Sequence, residues 1–312
     1  MRILAGAAAL TAVGAAAGAL SGCGNVDVGR HDETRSYTAP SGARALKVHT
    51  GQGGVEIVAT DSPGIRVQER LRWSNRHNRP HPKHAVEGTT LSLTASCSAN
   101  IFGTSVCGVS YRVEVPRATP VEVHTGDGRV TANGLSGSVA LSSRDGSITA
   151  LGLRARSLTV RSGDGSVRVS GRAAGADLRS RAGSITASAL DSDTLTARTD
   201  DGRITVSGRA ATARLRTAAG SITATGLAAE RLTARSDDGR VVLGFTAPPA
   251  DVEAGTRTGS IRVGVPSGEG YAISLSTTTG SKRIDGRVHQ DSSSHRRIKA
   301  TTEDAGITIV PS

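Results

Sequence analysis

Aromatic side chains are almost missing from this 312-residue chain: Trp, Tyr and Phe together make up 2% of it. A core without large rings must close with Val, Ile, Leu and Ala, which suits thin, closely stacked strands better than a wide ligand cavity. Lysine is nearly absent too, at positions 47, 83, 282 and 299 only, so arginine carries the formal charge of +11. After Leu20 there is no long apolar run, and after Cys23 no helical periodicity of useful length. Only three cysteines occur, too few for a disulfide-built scaffold.

What is present begins with a leader. Arg2 is followed by a small-residue apolar run from Ile3 to Leu20, ending in Leu20-Ser21-Gly22-Cys23. Small residues before a cleavage point are the export pattern, and a Cys directly after them resembles the lipobox of bacterial lipoproteins. That resemblance implies cleavage after Gly22 and a diacylated Cys23 as the mature N-terminus. The run is too rich in Gly and Ala for a permanent membrane span. The expected location is therefore outside the cell membrane, held to its outer face by the lipid. In that oxidising setting Cys97 and Cys107 are expected to pair, since two thiolates are too few for structural zinc.

The body of the chain repeats every 37 residues. Leu158-Thr-Val-Arg-Ser-Gly-Asp-Gly-Ser-Val167 returns from Leu195 and from Leu232, and a looser copy opens at Val121. Each unit has a second half carrying Gly-Ser-Ile-Thr-Ala, at 183–187 and 220–224, so glycines recur at 128, 146, 165, 183, 202, 220 and 239. Flanking segments alternate apolar and polar at period two, the signature of strands, and the glycines read as turns that tolerate positive φ. Short strands joined by turns at a fixed period predict an all-β parallel β-solenoid (β-helix) with 37-residue double repeats. One coil is either 18–19 residues or a full 37. Equal coil lengths favour 37, although that choice stacks Arg161, Arg198 and Arg235, and four aspartates, in like-charged columns.

Domain organisation follows. Residues 1–22 are a lipoprotein signal peptide, 23–40 a lipidated tether, and 41–312 the solenoid. Its most regular repeats span 121–263, insertions fall within 58–120, and 264–312 are capping strands with Gly306–Val310 as the closing one. The lipobox, the Leu-x-Val-x-Thr-Gly-x-Gly-x-Val opening at Leu46, the Val115-Pro116 step and the serial Gly-Ser-Ile-Thr-Ala strands together resemble the bacterial putative-adhesin family of β-strand-repeat lipoproteins. The resemblance covers Leu46 to Pro311. It implies a β-strand-repeat fold and passes on no catalytic residue.

Chemistry is sparse. Calcium-binding β-rolls place Gly-Gly-x-Gly-x-Asp at nine-residue spacing, whereas here Asp precedes Gly and an Arg often follows, which favours plain turns. His77, His81 and His84 lie among Arg76, Arg79 and Lys83, a basic loop rather than a metal site. No metal, cofactor or catalytic residue is expected, because residues repeated in every unit cannot form one unique constellation. The expected function is a non-enzymatic, adhesin-like binding or scaffold surface at the cell envelope. Arg161, Arg198 and Arg235 are the candidate contacts to anionic cell-wall polymers or envelope proteins, and the lipid on Cys23 is the contact to the membrane. Nucleic acid is not an expected partner. The alternatives are a polysaccharide-active β-helix enzyme and an accessory protein in envelope-stress sensing.

Overall fold

The computed structural model describes residues 31–74, 76–97 and 106–312, apart from the Arg76 side chain. The leader, Cys23 and the loop centred on Phe102 lie outside these residues. The described chain is all-β, without an α-helix.

Its strands are β1 (His31–Thr38), β2 (Ala45–Thr50), β3 (Val55–Thr60), β4 (Arg66–Trp73), β5 (His81–Glu87), β6 (Thr90–Ser96) and β7 (Cys107–Pro116). Then come β8 (Val121–Thr125), β9 (Val130–Asn133), β10 (Ser138–Ser143), β11 (Ile148–Ser162), β12 (Val167–Ser180), β13 (Ile185–Arg198), β14 (Ile204–Thr217) and β15 (Ile222–Ser236). The last are β16 (Val241–Phe245), β17 (Asp251–Gly255), β18 (Ile261–Val265), β19 (Ala272–Ser276), β20 (Lys282–Ile284), β21 (Arg297–Thr301) and β22 (Ile307–Pro311).

Period-two alternation builds the interior. In β13 Ile185, Ala187, Leu190, Leu195 and Ala197 are buried, while Thr196 and Arg198 point outward. Parallel pairing then stacks identical positions. Ile148 pairs with Val167, Val167 with Ile185, Ile185 with Ile204, and Ile204 with Ile222. Each step spans 19 or 18 residues in alternation, so one coil is 18–19 residues and the 37-residue coil is overturned.

The unequal steps have a local cause. At one corner Leu153 lies opposite Gly171, Gly171 opposite Leu190, Leu190 opposite Gly208, and Gly208 opposite Leu227. Coils with Leu at this position carry one extra residue, in the left-handed region at Gly152 (φ 60°), Ala189 (φ 47°) and Gly226 (φ 65°). The alternate coils have glycine because the backbones touch and φ is positive there: a Cβ on Gly171 (φ 113°) would stand 2.4 Å from Leu153 N and O, and one on Gly208 (φ 120°) 2.4 Å from Leu190 O. The 37-residue period is thus two coils, one of each corner type.

At the other corner the coils from β2/β3 and β8/β9 to β19/β20 share a Ser/Thr-x-x-Gly turn, while the β21/β22 coil has Thr302-x-x-Ala305. The buried Thr217 hydroxyl accepts from Gly220 N (3.1 Å) and donates to Gly202 O of the preceding coil (3.0 Å). Ser236 does the same with Gly239 and Gly220. The glycines at 128, 146, 165, 183, 202, 220 and 239 do not have positive φ, contrary to the expectation from sequence, although Gly53 in the first coil does (118°). They are glycines because the coils touch there: a Cβ on Gly220 would stand 1.9 Å from Gly202 O.

The chain does not run evenly from end to end. The first coil in sequence, β2 with β3, lies between β8/β9 on one side and β6/β7 on the other. The last, β21 with β22, lies between β17/β18 and β19/β20. The Gly306–Val310 segment is therefore second from the end, not the closing strand. Residues 58–120 hold an ordinary coil plus a cap: antiparallel β4 on β7, β5 on β6, and β1 on β4. Residues 31–38, expected in the tether, are part of that cap, and His81 and His84 sit in β5 rather than in a loop.

Candidate surface site

The outward position just before each Ser/Thr-x-x-Gly turn forms one continuous column across the solenoid. Along it stand Thr94, His49, His124, Ser142, Arg161, Arg179, Arg198, Arg216, Arg235, Gly255 and Thr301. Five consecutive members are arginines. Parallel strands lie about 4.8 Å apart, so the arginine row spans about 19 Å perpendicular to the strands. Beneath it Val160, Leu178, Ala197, Leu215 and Ala234 are buried.

All five arginines are exposed. Thr159, Asp177, Thr196, Arg214, Thr233 and Glu253 form the column beside them. Asp177 lies 3.0 Å from Arg179 and 3.6 Å from Arg161, and Glu253 lies 2.7 Å from Arg235. Among the described residues Arg198, Arg214 and Arg216 have no carboxylate within ion-pair distance, so the middle of the row is a patch of uncompensated charge. Unit charges one strand apart repel by about 0.9 kcal/mol even at the dielectric of water. Backbone register holds the guanidinium groups in a row that their mutual repulsion opposes.

Arg161, Arg198 and Arg235 are the candidate contacts expected from the sequence. The structure puts all three on this face, with Arg179 and Arg216 between them and Arg214 alongside. The missed arginines had a signal: Arg161-Ser162, Arg179-Ser180, Arg198-Thr199, Arg216-Thr217 and Arg235-Ser236 are one motif at 18–19-residue spacing. A 37-residue coil hides every second copy. Cys97 and Cys107 are disulfide-bonded, joining the end of β6 to the start of β7.

The turn edge is different in character. Backbone hydrogen bonds stack Asp127, Asp145, Asp164, Ala182, Asp201, Ala219 and Asp238 on successive coils. The four aspartates expected in one unbroken column, Asp127, Asp164, Asp201 and Asp238, are therefore separated by Asp145, Ala182 and Ala219. The Asp145 carboxyl is pushed above its ordinary range, first by desolvation and then by its hydrogen bond with Asp127. Arg181 pairs with Asp164, and Arg257 with Asp238. Arg203 and Arg240 donate to Ser221 and Ser260 on the next coil (3.0 and 3.1 Å) instead of neutralising the aspartates. Among the described residues no group of three His, Cys, Asp or Glu side chains could hold a metal ion.

Comparison with known proteins adds a family and a fold. The family model described as Toastrack DUF4097 matches residues 43–210 and again residues 172–309. No curated protein matches the chain. A putative lipid binding protein from Parabacteroides distasonis ATCC 8503 has a TM-score of 0.51 at 16% identity, covering 89% of this chain and 96% of its own. A putative adhesin from the same organism has a TM-score of 0.48 at 11% identity, covering 90% and 97%. One from Parabacteroides merdae ATCC 43184 has 0.46 at 11%, covering 89% and 96%. At 16% identity the likeness to the first is one of fold.

Proposed function

The chain belongs to the Toastrack DUF4097 family, and from that premise we propose that it is a non-enzymatic, adhesin-like binding protein of the cell envelope. It is exported, anchored by lipid on Cys23 to the outer face of the membrane, and turns its arginine-bearing sheet toward anionic envelope polymers. The observation that carries this reading is the run Arg161–Arg179–Arg198–Arg216–Arg235 in register on adjacent strands, with its centre unpaired. A row of fixed cations attracts polyanions and releases their counterions, an association that weakens with salt. A repeated side chain serves an extended partner, where catalysis needs a single constellation. The adhesin and lipid-binding descriptions of structural neighbours fit a binding surface and name no ligand for this chain.

The test is co-sedimentation of the mature, non-lipidated protein with purified cell-wall polymer. Binding at 50 mM salt should fall at least about tenfold by 200 mM. Arg198→Ala/Arg214→Ala/Arg216→Ala should reduce low-salt binding by a similar factor. Equal binding by parent and triple variant would exclude this face.

A further inference from the structure

Resting on that reading, the geometry points to a more particular ligand: a linear acidic glycan with one carboxylate per sugar, lying along the solenoid axis across the strands. The first argument is spacing. The backbone ladder sets the arginines about 4.8 Å apart, which is about the length of one pyranose ring in an extended chain. A polyuronate laid along the row thus advances one residue per strand, with the long guanidinium side chains reaching carboxylates on either side of the glycan. Guanidinium groups present paired N–H donors in the fork that a carboxylate accepts.

The second argument is shape. Five collinear cations over about 19 Å match a strand, not a compact anion. Asp177 and Glu253 pair the outer arginines and leave Arg198, Arg214 and Arg216 open, so binding is strongest at mid-row. The third is the neighbouring column, where Thr159, Thr196 and Thr233 set a hydroxyl beside the row on every second coil. Those groups suit sugar hydroxyls. Along the turn edge Asp201, three residues after Arg198 and without an ion pair among the described residues, would repel a polyanion beside mid-row, whereas Asp164 and Asp238 are paired with Arg181 and Arg257.

Two other polyanionic surfaces fit less well. Single-stranded nucleic acid needs aromatic platforms for its bases, and none stands in the arginine stretch; the column's two rings, His49 and His124, lie beyond Ser142 and stack on each other. A membrane surface calls for apolar anchors beside the cations. The exposed large hydrophobics among the described residues, Val86, Val106 and Leu151, lie elsewhere.

The deciding measurement is calorimetric titration of the mature, disulfide-bonded protein with oligogalacturonates of two to ten residues at 50 mM salt. Affinity should climb with each added residue to about five or six and then level off, matching the five-arginine row. Arg198→Ala/Arg214→Ala/Arg216→Ala should weaken hexagalacturonate about thirtyfold or more and the dimer by less, because the dimer touches fewer of the three, and should lessen the salt dependence. Arg→Gln at the same positions, with unchanged melting, serves if the Ala variant unfolds. Lys at these positions should recover only part of the affinity, because charge returns without the fork. Equal affinity for dimer and hexamer would overturn the extended site. Binding of poly(glycerol phosphate) or anionic vesicles without oligogalacturonate would overturn the glycan and spare the broader proposal. If none of these polyanions binds, both fall.

Discussion

The two ends of the solenoid solve the same problem unequally. At each, the terminal coil of the sequence is tucked one place inward, so neither chain end forms the outermost coil. At the N-terminal end that outermost coil, β6 with β7, is covered by antiparallel β5 and β4 and braced by Cys97–Cys107. Leu71, Leu91, Leu93, Tyr111 and Val113 are at most 2% exposed, and Trp73 and Tyr37 close the margin. The Tyr37 hydroxyl donates to the buried Glu69 (2.9 Å), and burial above all drives its pKa upward. At the C-terminal end, among the described residues, no strand covers β19 and β20, only the single bridge of Tyr271 with Gln290 lies beyond, and Ile273, Leu275 and Ile284 are only half-buried. Its edge is blunted instead by brevity and charge, since β20 is three residues long and includes Lys282 and Arg283. One end is closed by packing and the other is protected by being unattractive.

The largest expected effect separates the stacked interior from the open end. Gly220 and Gly280 occupy the same place in the hydroxyl ladder, and a Cβ on either would stand 1.9 Å from a carbonyl oxygen of the coil before. In the interior neither coil can retreat, so Gly220→Ala should cost about 3–5 kcal/mol. Among the described residues the coil holding Gly280 is held on its outer side only by the bridge of Tyr271 with Gln290 and can lift away at the turn, so Gly280→Ala should cost about 1 kcal/mol. Denaturant melts of the two variants measure the difference. Equal losses would mean the C-terminal coil is as firmly held as the middle.

A smaller contrast comes from truncating core leucines at the two outermost coils. Leu93 is fully buried in β6, and Leu93→Ala should cost about 3 kcal/mol. Leu275 on β19 is half-covered, and its replacement should cost about 1 kcal/mol, because less apolar area leaves water on folding. Thermal unfolding of both checks this. A Leu275 loss as large as that of Leu93 would show that the open end is covered in solution.

Regular stretches of this fold are legible because each residue there answers to one rule at a time. Apolar alternation predicted strands, and the repeated glycines predicted turns. Coil length was misread because Leu153 and Gly171 occupy one structural position, and a search for identical residues sees sameness only every second coil. The turn glycines were credited to φ because contact between stacked carbonyls leaves no trace in a single coil. The arginine row was half-seen for the same reason as the coil: Arg179 and Arg216 belong to the alternate corner type. At the ends, pairings such as β2 with β6 join segments whose sequence separation obeys no period, so the tucked coils had no local signal.

The smallest expected effect concerns how the open end is tied down. After β20 the chain turns at Asp285, whose N–H donates to Ile309 O (3.0 Å) and so fastens the outermost coil to β22. Arg287 donates to the Asp285 carboxylate through Nε (3.0 Å) and a terminal nitrogen (3.1 Å), and its backbone N–H adds a third bond (3.0 Å). The Arg287 side chain first, then its backbone N–H, lowers the carboxyl to about 2. An unfolded Asp titrates near 3.9. A pKa depressed by folding contributes stability that is complete above the unfolded value and is lost as pH falls toward the folded one. The turn should therefore loosen between about pH 4 and pH 2, by a small amount because the pair is solvent-exposed. Asp285→Asn should remove that acid step at the C-terminal end while leaving the capped end unchanged. Carboxyl-carbon titration by NMR, with amide shifts of β20 and β6 followed together, reads both outcomes. An Asp285 midpoint at the unfolded value would show that this turn does not hold the end coil.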